Sequence, residues 1–452
     1  MATSKPLPPE LLAQVFSHLT PLLSLSYSQR CQNITTLLNA CLASRKLYDI
    51  AQPHLYEAIE FDISSLQLKH LLPVLRTKPH LISNTKALSI TQSGSDYYGM
   101  QLRQFTQEFL PVLTKLDTFR SDCHVGTSHL IHNMLFKVGS SYTMAEPTDF
   151  GQVTRLELYA GKMVFQYNYL LRLPRLETVC LNGLDIYDPY REDSSLSRDW
   201  KWTSSTIKNL VLRPFRGPKG GWGPNLVLDR ENSLTALAHS MPNLESLTID
   251  QSGEHLNPSS LFRLLSFFDE QLRGSLRRLE LKDGKATQET LRPPYIESLY
   301  DRDEAMFAGI RESSVEELLI DSHVFLHVER EVPLLDPACI PKSVRSLDIR
   351  HRDTPFGNPA MDMWELRDQD VVDLVTGIKN ARPCLESIFL EVIARTKIEN
   401  SILDTYRAAF RDVGIRFCIV GNVVQQPREE TTGTIVCSTR PSVEGEIIYD
   451  GQ

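Results

Sequence analysis

A short phrase returns along most of this chain and leaves few architectures open to it. Its three closest copies are Pro174-Arg175-Leu176-Glu177-Thr178-Val179-Cys180-Leu181, Pro242-Asn243-Leu244-Glu245-Ser246-Leu247-Thr248-Ile249 and Pro383-Cys384-Leu385-Glu386-Ser387-Ile388-Phe389-Leu390. Each follows an apolar helical stretch, such as Tyr169-Leu170-Leu171-Arg172-Leu173 before the first. Proline stops the helix, the next leucine packs inward, and two apolar residues at alternate positions make a short half-buried strand. One copy therefore reads as helix, break and strand. Looser copies occupy residues 85–90, 116–119, 153–158, 207–212, 276–281, 315–320, 344–349 and, in the weakest form, 415–419.

The central apolar residues of successive copies, from Leu156 through Val179, Leu210, Leu247, Leu279, Leu318 and Leu347 to Ile388, lie 23 to 41 residues apart. A unit of roughly thirty residues with one strand and one helix cannot bury its own apolar face, so the units must stack. This pattern resembles a leucine-rich-repeat array of irregular length. The resemblance implies an α/β solenoid over residues 59–421, with parallel strands on its concave face and helices outside. The Asn that ladders between turns in that family is missing after most strands, with Asn182 the nearest candidate. An irregular array is expected rather than a regular horseshoe, and a generic α/β domain with parallel strands is the alternative.

Ahead of the array, residues 1–58 carry a different pattern. Leu11, Leu12, Val15, Phe16 and Leu19 fall at helical spacing behind Pro8 and Pro9, which suit a first helical turn whose N–H groups need no partner. Leu37, Leu38, Cys41 and Leu42 form a second apolar stripe, and Leu47, Ile50 and Ala51 a third, which Pro53 is expected to interrupt. Three helices in so short a segment enclose little core and leave apolar surface over for a partner. The Leu7-Pro8 start, the Glu10-Leu11-Leu12 step, Phe16, Leu19, the run Ser44-Arg45-Lys46-Leu47-Tyr48 and the closing His54-Leu55-Tyr56 resemble the F-box, especially that of filamentous-fungal proteins. Two features depart from the family: Leu47 stands where it often has Trp, and the spacer over residues 20–33 is long. The resemblance implies docking on the Skp-type adaptor of a cullin-RING ubiquitin ligase. It assigns adaptor contact to Leu7, Pro8, Leu11, Leu12, Phe16, Leu42, Ser44, Arg45 and Leu47. An ordinary helical cap on the array is the other reading of the same helices.

A net charge of -8 supplies no basic field to recruit nucleic acid or an anionic membrane. Eight scattered cysteines, mostly inside apolar runs, read as free buried thiols. No secretory apolar region follows Met1 and no run of about eighteen apolar residues occurs, so an intracellular protein, cytoplasmic or nuclear, is expected.

Several constellations carry side chains capable of chemistry. Cys123 and His124 with His129 and His132 offer metal-ligand atoms, but no second pair completes a four-ligand zinc set. His323 and His327 have i, i+4 spacing without the intervening Glu of a zinc protease. Gly217, Gly220, Gly221 and Gly223 precede no Lys-Ser or Lys-Thr, and Pro218 and Pro224 remove amide donors that a phosphate would need. The expectation is a protein that is not an enzyme and holds no cofactor or metal.

Strand alternation sets which residues face away from the leucines. Glu157, Asn209, Val211, Thr248, Glu280, Asp348 and Glu391 fall in that row, and Tyr159, Arg213, Asp250, Lys282, Arg350 and Phe389 are its candidate target-binding positions. Its mixed charges suit a protein partner better than a polyanion. Insertions over residues 186–203, 214–224 and 351–361 add loop contacts, with Trp222 in a Gly/Pro loop either a binding anchor or a lid on an apolar patch. Residues 422–452 read as a poorly ordered tail with one extended piece at Ile435-Val436. The expected function is substrate recognition in a Skp/cullin/F-box type ubiquitin ligase. The rival is a repeat scaffold acting outside any ligase, with the N-terminal helices as its cap.

Overall fold

The computed structural model describes residues 7–21, 27–92, 99–122, 151–159, 171, 173–184, 203–214, 240–251, 274–283, 313–321, 340–352, 368–394, 400–423 and 447–449. The chain divides into two compact units, Met1–Asp185 with Trp202–Ile207, and Ile186–Lys201 with Lys208–Gln452.

The first unit opens with three helices, α1 (Pro9–Ser17), α2 (Tyr27–Ala43) and α3 (Arg45–Leu55). Pro9 occupies the first turn of α1, as its missing N–H allows. Ser44 is extended and caps α3, its hydroxyl accepting the Leu47 N–H at 3.2 Å. Pro53 does not interrupt α3, which runs on to Leu55. Lying in the last turn, it costs the helix one hydrogen bond, and the Pro53 carbonyl still accepts the Tyr56 N–H. Phe16, Leu37 and Ala51 form the module's core, with Leu19, Ala40, Cys41, Leu47, Ile50 and Leu55 partly buried against them.

The chain then alternates: β1 (Ala58–Asp62), α4 (Gln67–Thr77), α5 (Pro79–Ile82), β2 (Ala87–Thr91), α6 (Gly99–Glu108), a 3-10 turn (Leu110–Val112), β3 (Thr118–Asp122), β4 (Arg155–Tyr159) and β5 (Thr178–Leu184). β1 to β5 pair in parallel in chain order. The second unit continues with β6 (Asn209–Pro214), β7 (Ser246–Gln251), β8 (Arg278–Asp283), β9 (Glu317–Asp321), β10 (Ser346–Arg352), α7 (Asp368–Ala381), β11 (Ser387–Ala394), α8 (Asn400–Asp412) and β12 (Arg416–Val423). β6 to β12 are again parallel and in order, while β13 (Ile447–Tyr449) lies antiparallel on β12. Residues 435–436 lie outside the described residues.

Every copy of the repeated phrase forms a strand. In the second unit Leu210, Leu247, Leu279, Leu318, Leu347, Ile388 and Phe417 share one register column, and Leu212, Ile249, Leu281, Ile320, Ile349 and Leu390 the next, all of them buried. Each such side chain withdrawn from water contributes about 1.5–3 kcal/mol against the entropy of ordering its repeat. β1 was hidden from the phrase, because Tyr56 stands where most other copies have an aliphatic anchor. The architecture is thus α/β with consecutive parallel strands, an order compatible with a solenoid.

Among the described residues, backbone groups build a ladder that joins the repeats. At most junctions the carbonyl just before a strand accepts two N–H groups from the next repeat: Lys208 takes those of Glu245 and Ser246, Glu245 those of Arg277 and Arg278, and Arg277 those of Glu316 and Glu317. Serine hydroxyls add a second file, Ser275 donating to the Leu244 carbonyl, Ser314 to that of Leu276 and Ser343 to that of Val315. Among the described residues no helix is long and apolar enough to cross a membrane.

Candidate docking surfaces

Burying Phe16, Leu37 and Ala51 sets the faces of the three N-terminal helices, and the helices are too short to hide everything else apolar. Leu7, Leu11 and Val15 stand exposed on and before α1, and Ile34, Leu38 and Leu42 on α2, Leu42 at 85%. Half of the twelve exposed large hydrophobic residues among those described therefore lie on this small module. Surface leucines occur singly everywhere, and this concentration makes the module a candidate contact surface.

The nine sequence-assigned adaptor positions divide by burial. Leu7, Pro8, Leu11, Leu42, Ser44 and Arg45 are exposed, and Leu12 and Leu47 are half-buried. Phe16 and Leu47 instead support the module's own core, and Ser44 is occupied as a helix cap, so these three shape the surface more than they form it. Val15, Ile34 and Leu38 share the exposure without having been assigned. Their spacing carried the signal: positions 34, 38 and 42 lie one turn apart in a stripe of α2 centred about 100° round the helix from Leu37.

Polar contacts tie this module to the first strands of its unit. Arg30 of α2 reaches Glu60 of β1 at 3.2 Å, and the Thr85 hydroxyl donates to the Tyr56 carbonyl at 2.8 Å. Glu57 meets His54 at 2.8 Å on one side and Lys86 at 2.9 Å on the other. The Lys78 ammonium donates to the Tyr48 hydroxyl and sits 5.2 Å from that ring's centroid. That hydrogen bond is the main reason the Lys78 pKa lies above its ordinary value. Burial raises the Tyr56 phenol in the same region.

The second candidate surface is the face of the strands that turns from the leucines. In the first unit it is less open than strand alternation implied. Glu157 is only 5% exposed, because Arg155 grips its carboxylate at 2.7 Å and Arg120 approaches at 3.9 Å from the neighbouring strand. Arg120 and Arg155 were not singled out in the sequence, although both occupy strand positions alternate to buried residues. In the second unit Thr248 and Glu280 are also buried, the threonine hydroxyl donating to the carboxylate at 3.2 Å. Strands set about 4.8 Å apart let long side chains close over their neighbours, and these members of the row are consumed internally.

Of the seven candidate target-binding residues, Phe389 is exposed at 37% on β11 and Arg213 half-buried on β6. Tyr159 in β4, Asp250 in β7, Lys282 in β8 and Arg350 in β10 are placed by their backbone alone. Asp250 lies opposite Lys282, and Arg350 between Asp321 and Glu391. Trp222, the three insertions, both histidine sets and the glycine cluster of residues 217–223 lie outside the described residues, apart from insertion-edge positions 203, 214, 351 and 352. No protein-family model matches the chain, and no curated protein matches it.

Proposed function

We propose that this chain is a substrate receptor of a Skp/cullin/F-box type ubiquitin ligase. Its N-terminal helices dock on the Skp-type adaptor, and its repeat array, read as a leucine-rich-repeat solenoid, holds a target protein. The contribution is proximity: a target held beside the ligase's conjugating partner presents its lysines at high effective concentration, and no catalytic group is needed on this chain. The observation that carries the reading is the exposed apolar set Leu7, Leu11, Val15, Ile34, Leu38 and Leu42 on a module that already has a core of its own. A module serving only as a cap has no use for leucines turned to water.

Leu11→Asp with Leu42→Asp tests it. Both side chains are exposed, so the fold is kept, while two carboxylates would have to be buried against the adaptor at a cost of several kcal/mol. Co-purification of the adaptor is expected to be lost. Retained capture with native-like circular dichroism refutes the assignment.

The scaffold reading, with the helices as a cap, is favoured by the polar joint through Arg30, Tyr48, Tyr56 and Glu57. Deleting residues 1–57 discriminates. A cap is required for the array to stay soluble, whereas a docking module is dispensable for solubility.

A further inference from the structure

In the second unit the residue immediately before each of β6 to β11 is charged, and its sign alternates along the sheet: Lys208, Glu245, Arg277, Glu316, Arg345 and Glu386 in turn, the file ending at Ile415 before β12. These residues are true neighbours. Each N–H from Glu245 onward donates to the carbonyl of the preceding member at 2.7 to 2.8 Å, so the backbone holds them at strand spacing. Three ion pairs form within the file: Lys208 with Glu245 at 3.8 Å, Arg277 with Glu316, and Arg345 with Glu386 at 3.7 Å. The two remaining gaps, Glu245 to Arg277 and Glu316 to Arg345, also bring opposite charges together. The alternation returns further along the strands, where Asp250 lies opposite Lys282 and Arg350 lies between Asp321 and Glu391.

We propose that this file is a neighbour code for the stacking of the repeats. The leucine columns cannot tell one repeat from the next, because they present the same apolar residues at every strand. A file of alternating sign can. Skipping the repeat of Glu245 would set Lys208 against Arg277, and skipping that of Glu316 would set Arg277 against Arg345. Like charges directly opposite on neighbouring strands are destabilising, and unlike ones are favourable. The code therefore penalises misassembly by one repeat while leaving the core unchanged.

Two variants of the full chain separate a code from three isolated ion pairs. Arg277→Glu with Glu316→Arg keeps all three pairs, reversing the polarity of one, but creates like-charge neighbours at 245/277 and 316/345. Inverting all six positions restores alternation throughout and leaves the net charge unchanged. On the code reading, the double swap lowers the thermal midpoint at low salt by roughly 2–4 °C, the shift expected for two new repulsions in a unit of this size. The six-fold inversion recovers most of that loss, and the difference fades in 1 M NaCl, where the screening length is about 3 Å. A double swap as stable as the parent overturns the proposal. So does an inverted file that is no better than the double swap or fails to fold, or a loss undiminished by salt.

Discussion

Replacing Leu37 by alanine separates the stability of the N-terminal module from that of the array. Leu37 is fully buried, and among the described residues its buried companions in the module's apolar core are Phe16 and Ala51. Truncation removes three carbon atoms, about 2.4 kcal/mol of transfer free energy at roughly 0.8 per methylene group, and the cavity left behind raises the loss to about 2–5 kcal/mol. A three-helix module with so small a core has little reserve, so this loss is enough to populate its local unfolding. Amide hydrogen exchange followed by mass spectrometry resolves it: α1 to α3 lose protection in Leu37→Ala, while β2 to β5 keep theirs. Leu42→Ala, at a site 85% exposed, is the control and changes protection by less than about 0.5 kcal/mol. Equal loss in the two variants refutes the assignment of inner and outer faces. Loss spreading through β2 to β5 in Leu37→Ala refutes the independence of the module.

Two further perturbations act on charge. Arg76 of α4 donates two hydrogen bonds of 2.7 Å to Glu108 of α6, and these hold the carboxylate below its ordinary value of 4.5. A depressed carboxylate stabilises the fold above its unfolded pKa, and the stabilisation disappears as pH falls through the folded value, so Glu108→Gln should be the less stable protein at neutral pH, with the difference shrinking as the pH falls below the ordinary carboxylate range; a difference that does not shrink in acid refutes the linkage. In the first unit the residues preceding β2 to β5 are Lys86, Asp117, Thr154 and Glu177, with Thr154 between two acids, so Thr154→Lys should complete the alternation and raise stability by up to about 1 kcal/mol in low-salt urea unfolding, an unchanged or lowered midpoint refuting it.

The strands were legible because their signal is short-range. An anchor, two spacer residues and two alternating apolar positions sit within six residues, and burial of the alternate pair reproduces the pattern at Leu156 and Leu158, Leu247 and Ile249, and Ile388 and Leu390. The three helices were legible for the same reason. What escaped the sequence depends on neighbours about thirty residues away. Glu157 reads as a solvent-facing strand residue until Arg120, on another strand, is seen to approach it. Phe16 and Leu47 are assigned to docking by resemblance to a family motif, and a motif match does not show how far each side chain also leans on the module's own core. β1 escaped because Tyr56 fills the anchor position with an aromatic ring.

The missing asparagines acquire a physical reason from the same neighbours. A repeat array needs some group in every turn to satisfy the carbonyl of the turn before, or each stacked unit would bury an unpaired acceptor. Here the backbone does this itself, the carbonyl before a strand accepting two N–H groups, and serines 275, 314 and 343 supply hydroxyls to further carbonyls. Relieved of that duty, the spacer positions of the phrase are free to carry charge. Lys208 and Glu245, like Arg345 and Glu386, remain about half or more exposed while paired, so their net attraction is worth at most about 1 kcal/mol each. That is too little to hold the array together and enough to bias which repeat stacks on which, because the leucine columns contribute equally to either arrangement. Affinity of the strands for one another therefore resides in the apolar columns, and their order in the flanking charges. Positions in those files are committed to neighbouring repeats, which leaves exposed side chains outside them, such as Phe389, as the more promising points of contact for a target.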